Sequence, residues 1–202
     1  TIVVIDPCEE KPSLAKPLVE VPEGMPPIAT TTKTVTPPLE PPTFSQSLSS
    51  QRIVIWEHAV LKEEVLQALV AAIGKDRGIE DREALFGDIM KREEQGSTFF
   101  NEGVAFPHVR LEGLAAPIVA LGLTREGVTD VSTEKPIEIV FLIISPAQAP
   151  ETQVKLLGLA SRAAQNRHLL QSLRAARTPE EAMRIILDWE MPDESHPTNG
   201  PK

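Results

Sequence analysis

The chain has one cysteine, Cys8, and no tyrosine. A single thiol builds neither an internal disulfide nor a thiolate metal cluster. Cys8 therefore reads as a spare thiol, in keeping with a reducing cytoplasm. Aromatic residues are 4% of the 202 positions, too few for a base-stacking surface. The net charge of −9 further disfavours a polyanion, so no nucleic-acid partner is expected. An acidic surface suits a basic protein partner, and it also simply confers solubility. No apolar run approaches the roughly 18 residues of a membrane span. Ile2–Ile5 is too short for a signal peptide and is followed at once by Asp6. The chain has no glycine-rich Walker loop and no Gly-x-Ser-x-Gly elbow, so nucleotide-binding and hydrolase readings have no support. His58, His168 and His196 pair with nothing at metal-ligand spacing. They read as surface or packing residues, and no metal is expected.

What is present falls into four parts. Thr1–Asp6 is β-branched and reads as one strand, either the last of an upstream domain or an end that adds to the sheet. The chain starts with Thr1 rather than Met, which points to a piece of a longer protein. Residues 7–50 carry prolines at 7, 12, 17, 22, 26, 27, 37, 38, 41 and 42, with Thr, Ser and Glu between them. That composition lacks apolar periodicity and backbone donors, so it reads as an extended linker. At about 3.1 Å per residue such a linker reaches on the order of 100 Å. Residues 51–191 should form the folded domain, and 192–202 a disordered tail.

Within the domain, Ile53–Trp56 reads as a strand. Leu61, Val65, Leu66, Leu69, Val70 and Ile73 make one helical face, predicting a helix from His58 to Ile73 with Gly74 as its stop. A second helix is expected over Asp81–Glu94, with Asp81 as its N-cap. Strand-like pieces follow at Thr98–Asn101, Val104–Phe106, Pro117–Thr124 and Pro136–Ile144. The last two hold near-continuous apolar runs, as strands buried on both faces do. A loop at Ser145–Pro150 leads to a helix at Glu151–Ala164, which either continues or restarts over Asn166–Arg177. Thr178-Pro179-Glu180-Glu181 is a capping box that opens a last helix, ended by Pro192. Buried strands with helices before and after them mean an α/β layered domain.

The stretch from Arg92 to His108 carries the chemistry. Arg92 and Glu93 leave the last turn of a helix, a Gly/Ser/Thr turn follows, and His108 comes directly after Pro107. Proline has no N–H and biases its predecessor toward extended backbone. Pro107 should therefore end regular pairing and hold His108 at a strand tip. Imidazole is a nucleophile able to carry a covalent intermediate. Arg92, Ser97, Thr98 and Arg110 lie close enough in sequence to converge on that tip.

The Arg-Glu pair, the Ser97-Thr98 turn and the Ala105-Phe106-Pro107-His108 strand end resemble the active-site segment of the mannitol/fructose/nitrogen-regulatory enzyme IIA domains of the bacterial phosphotransferase system. The resemblance extends more weakly from Ile53 to Trp189. It implies a single α/β domain with a mixed central sheet flanked by helices, here preceded by the proline-rich linker. It also implies that His108 accepts a phosphoryl group from the histidine carrier protein and passes it to an enzyme IIB or a regulated target. Arg92 would hold the phosphoryl oxygens with its planar fork, and Ser97 and Thr98 would donate to them. No cofactor is implied. Three departures stand out. Gln153 occupies the place of a second histidine found in many of these domains; it can still donate a hydrogen bond to a phosphoryl oxygen or to His108, but it cannot be cationic. Phe99-Phe100-Asn101 replaces a small-residue turn and, with Glu102 and Arg110, offers a docking surface unless the rings simply pack. Val109 replaces a small residue. The alternative reading is a non-catalytic regulatory module on the cytoplasmic tail of a larger protein such as a membrane transporter, so that a membrane enters only through that parent. Either way the domain is expected in the cytoplasm.

Overall fold

The two longest apolar runs form the middle of a sheet. The computed structural model describes residues 42–99, 103–131 and 133–191. The expected strand at 1–6, Cys8, the linker as far as 41, Phe100, Asn101, Glu102, and the 192–202 tail with His196 lie outside the described residues. Strand β4 (Ile118–Thr124) and strand β5 (Ile139–Pro146) are buried along their whole lengths. They pair antiparallel, with Leu121 opposite Phe141. Strand β1 (Ile53–Trp56) runs parallel to β4 on the outer side. Strands β2 (Val104–Ala105) and β3 (His108–Leu111) both run parallel to β5 on its other edge. The sheet is therefore mixed.

Side chains alternate across it. Val119, Leu121, Phe141 and Ile143 face helices α1 (Phe44–Ser47), α4 (Pro150–Gln165), α5 (Arg167–Ala175) and α6 (Pro179–Glu190). Ile118, Ala120, Val140, Leu142 and Ile144 face α2 (Lys62–Arg77) and α3 (Arg82–Glu94). Helices on both faces are why β4 and β5 read as continuous apolar runs rather than alternating ones.

Most helices fall where periodicity places them. Asp81 caps α3 by accepting from the Ala84 N–H at 2.8 Å. Thr178 caps α6 by accepting from Glu181 N–H at 3.2 Å, and that helix ends at Glu190, ahead of Pro192. The segment after α4 restarts as a separate helix, with Asn166 accepting from Leu169 N–H at 2.9 Å. Two bounds differ for the first long helix. It starts at Lys62 rather than His58, because the 126–130 loop takes hold of the preceding residues. Val60 N–H donates to the Gly127 carbonyl at 3.2 Å, and the Lys62 N–H donates to Asp130 at 2.7 Å. It also runs through Gly74 and stops at Gly78, which sits at φ 67°. Gly74 instead makes room for the Arg82 side chain, whose Nε would lie 2.3 Å from an added Cβ.

The packed domain also reaches further back than residue 51. Phe44 is fully buried and stacks on Phe141 at 5.0 Å. The Phe44 and Ser45 N–H groups donate to the Glu190 carboxylate at 2.5 and 2.8 Å. Arg52 is 1% exposed; it donates to the Ser47 carbonyl at 2.9 Å and pairs with Asp76 at 3.0 Å. Its burial, followed by repulsion from Arg77, lowers its pKa, while Asp76 pulls it back up. One aromatic ring among Thr, Ser and Pro makes no periodic pattern, which is why residues 43–50 read as linker.

Candidate active site

The site is built where α3 ends against the sheet edge. Arg92 lies in the last turn of α3, where a cation is favoured by the helix dipole. His108 is the first residue of β3. Pro107 interrupts the regular ladder, as its lack of an N–H suggests: β2 stops at Ala105 and β3 begins at His108. Ala105 pairs with Val140 and His108 with Ile143, so the register continues across the proline. The Pro107 carbonyl still accepts the Ile143 N–H at 2.9 Å. In a strand a residue's N–H and C=O point the same way, so the donor that Pro107 lacks is missing on the β5 side, where the ladder is interrupted. Because Val109 and Leu111 pack toward α2 and α3, alternation turns His108 to the opposite face of the sheet.

Both ring nitrogens of His108 are engaged. Nδ1 lies 2.9 Å from the Phe106 carbonyl oxygen. A carbonyl only accepts, so Nδ1 carries the proton. Nε2 lies 3.2 Å from Arg92 Nη2. A guanidinium only donates, so Nε2 presents its lone pair. The same guanidinium donates through Nη1 to the Gly96 carbonyl at 3.0 Å. The neutral ring is thereby held in one tautomer, with its nucleophilic nitrogen beside a fixed cation.

The turn between Arg92 and His108 is closed by a residue that the sequence marks only as part of the Arg-Glu pair. Glu93 is 5% exposed. Its carboxylate accepts from the Thr98 N–H at 3.2 Å, from the Thr98 hydroxyl, and from the Ser97 hydroxyl at 3.5 Å. Lys62 Nζ, at the start of α2, pairs with it at 2.9 Å. Both Thr98 donors are thus committed to Glu93 rather than turned toward a phosphoryl group. No short-range signal reports Lys62, because it lies on another helix. Its ammonium also sits 4.9 Å from the centre of the Phe99 ring.

Phe99 is 6% exposed and packs among Val60, Ile89 and Ala105, so it offers no docking surface. Arg110 is exposed, and on β3 it lies opposite Ser145 of β5. The buried Ser145 hydroxyl donates to Gln153 Oε1 at 3.4 Å. Arg92, Ser97, Thr98 and His108 gather around one turn, while Gln153 accepts from Ser145, which lies two residues beyond Ile143, the β5 partner of His108.

A cavity of about 1250 Å³ opens beside His108, between the sheet edge and helices α4 and α5. Its floor includes Val104, Phe106 and Leu157. Its lining holds Arg92, Lys135, Arg167 and Arg174, and no carboxylate among the described residues. Arg174 is already paired with Glu138 at 2.5 Å, so this face is partly neutralised; in a chain of net charge −9 the positive charge that remains suits an anion. The arginines of α5 come from the opposite end of the sequence, so spacing alone does not reveal it.

The family model described as phosphoenolpyruvate-dependent sugar phosphotransferase system, EIIA 2, matches residues 46–189. The nitrogen regulatory protein of Pseudomonas aeruginosa is 30% identical over 128 residues, covering 63% of this chain and 83% of that protein. The crystal structure of nitrogen regulatory protein IIA-Ntr from Neisseria meningitidis aligns with a TM-score of 0.62 at 23% identity, covering 70% of this chain and 97% of that one. The enzyme IIA of the mannitol system of Escherichia coli, solved in complex with phosphorylated enzyme IIB, aligns with a TM-score of 0.55 at 16% identity, over 69% of this chain and 96% of that one. At those identities the solved structures establish the fold, a layered α/β domain with a five-stranded mixed sheet.

Proposed function

We propose, from the premise that this chain belongs to the phosphoenolpyruvate-dependent sugar phosphotransferase system EIIA 2 family, that His108 is its phosphoryl acceptor. A domain of this family is a phosphocarrier or a regulator acting through the same machinery. The single observation that carries the assignment is the ring geometry. Nδ1–H donates to a carbonyl, and Nε2 faces Arg92 Nη2 at 3.2 Å.

In the proposed step, Nε2 of His108 attacks the phosphorus of a phosphohistidine on the histidine carrier protein. Arg92 Nη2 shifts its hydrogen bond from Nε2 to a phosphoryl oxygen, the Nε2–P bond forms as the donor's P–N bond breaks, and that electron pair returns to the donor's ring nitrogen. The proton stays on Nδ1, hydrogen-bonded to the Phe106 carbonyl. Positioning and charge compensation are what such a transfer needs. Arg92 supplies both, since its fork fits phosphate oxygens. Ser97 lines the same cavity, and its hydroxyl reaches a phosphoryl oxygen only on release from Glu93, 3.5 Å away. Arg110 and the cationic cavity face form the docking ground for donor and acceptor, the acceptor being an enzyme IIB or a regulated target. No step requires a metal or an organic cofactor. The reading places the domain in the cytoplasm, on its own or attached to a larger protein through residues 7–41. Among the described residues no helix is long and apolar enough to cross a membrane.

Intact mass after incubation with phosphoenolpyruvate, enzyme I and the carrier protein tests this. One acid-labile phosphate is expected, and none with His108→Ala. Full labelling of His108→Ala refutes the assignment. A second reading, a regulatory module that binds a target without chemistry, is favoured by Gln153, which cannot become cationic as histidine does. No labelling, with a donor active on a control domain, selects it.

A further inference from the structure

His108 is gripped at both ring nitrogens, and both grips lead to the same turn. On one side, Nε2 meets Arg92, which is itself tied to the Gly96 carbonyl at 3.0 Å. On the other, Nδ1–H donates to the Phe106 carbonyl, and the Phe106 N–H donates to the Thr98 carbonyl at 3.1 Å. Gly96 and Thr98 belong to one turn, closed by a single carboxylate. Glu93 takes the Thr98 N–H at 3.2 Å and the Thr98 hydroxyl, while its own carbonyl accepts the Gly96 N–H at 3.2 Å.

We propose that Glu93, held by Lys62, is a positioning residue that sets the tautomer of His108 and the aim of its Nε2. The role in transfer rests on the phosphoryl-acceptor reading above; the role in setting the tautomer stands without it. A buried carboxylate is a costly way to close a turn unless it is fully partnered. Glu93 is so partnered, by Lys62 Nζ at 2.9 Å and by three donors from Ser97 and Thr98. Lys62 is placed by a second anchor, its N–H on Asp130 at 2.7 Å. The side chain of Glu93 touches neither ring nitrogen. It acts through Thr98 on Phe106, and through the turn on Arg92. Without it the two grips on the imidazole lose their common reference, and the Nε2–H tautomer, whose Nε2 has no lone pair to attack with, becomes populated.

The test is the ring-nitrogen spectrum of His108, by long-range ¹H–¹⁵N NMR on the full chain, with labelling by phosphoramidate as the second readout. Phosphoramidate transfers its phosphoryl group to an imidazole nitrogen and releases ammonia, so no protein donor has to dock. The wild-type ring is expected to show the Nδ1–H form. Glu93→Gln is expected to mix the two tautomers and to slow labelling by about 10- to 100-fold, the scale of a misplaced reacting group. Lys62→Met is expected to act in the same direction and more weakly. It decides the question if Glu93→Gln does not fold. Unchanged ring signals with an unchanged rate overturn the proposal, even where the melting temperature falls, because a purely structural carboxylate gives that result. A wild-type chain that phosphoramidate never labels at His108 removes the phosphoryl-acceptor reading, and the ring spectra still decide whether Glu93 sets the tautomer.

Discussion

Phe44→Ala asks whether the residues before Arg52 are part of the domain or the end of a tether. The Phe44 ring is fully buried, 5.0 Å from the Phe141 ring and 6.3 Å from Trp189. Truncating a buried phenylalanine costs about 3–5 kcal/mol, from lost transfer energy and the cavity left behind. The stacked pair contributes about 0.5–1.5 kcal/mol of that loss. The segment stays held at both ends after the change, by Glu190 on the Phe44 and Ser45 N–H groups and by Arg52 on Asp76. It can therefore shift to close part of the cavity, and the lower figure, about 3 kcal/mol, is expected. For a domain of this size each kcal/mol lowers Tm by about 2–4 °C, giving a fall of about 6–12 °C. The assay is thermal and urea unfolding followed by circular dichroism, with the urea midpoint falling and the slope unchanged. A loss below about 0.5 kcal/mol, the range of an exposed site, refutes the reasoning and returns residues 43–50 to the linker.

Other changes separate the chemistry from the scaffold. Arg92→Lys keeps the charge, but an ammonium cannot span Gly96 and His108 as the fork does. Labelling at His108 should slow by about 100-fold, the scale of one lost transition-state donor, with Tm unchanged; an unaltered rate removes Arg92 from the site. Gln153→His places an imidazole beside Ser145, and on the proposed reading the half-life of phosphorylated His108 should lengthen; an equal half-life means Gln153 serves only Ser145. Gly78→Ala forces a Cβ into φ 67° where nothing crowds it within 4 Å. It should cost about 1–2 kcal/mol in urea unfolding, whereas Gly96→Ala, with ordinary φ and open space, should cost far less. Equal effects would mean that the end of α2 is not set by backbone conformation.

Much of the site was legible because its residues lie within seventeen positions of one another. Arg92 at a helix end, the Ser97-Thr98 turn and a histidine after a proline are local features, and local features survive in a linear reading. What Thr98 does was not legible. A hydroxyl in a turn reads as a free donor until a buried carboxylate is seen to occupy it. Pro107 was legible because its effect is local: the ladder to β5 stops at Ala105 and resumes at His108, the first residue of β3. Phe99 read equally as surface or as packing, because aromatic residues in turns carry no periodicity, and the structure encloses it with Lys62 and Ile89.

The sequence by itself determined the layered α/β class, the order of helices and strands, and the candidate nucleophile with its arginine. Each of these follows from spacing within a few turns of chain, where hydrophobic period, caps and motif are all local. Tertiary structure alone decided where the domain begins, because Phe44 becomes core only when Phe141 and Trp189 meet it. It alone decided the start of α2, held back by the 126–130 loop, and the pairing of Lys62 with Glu93. It also gathered Arg92, Arg167 and Arg174 around one cavity in an acidic chain. Contacts of that kind join residues far apart along the backbone, and only the closing of the sheet between its two helical layers brings them within reach.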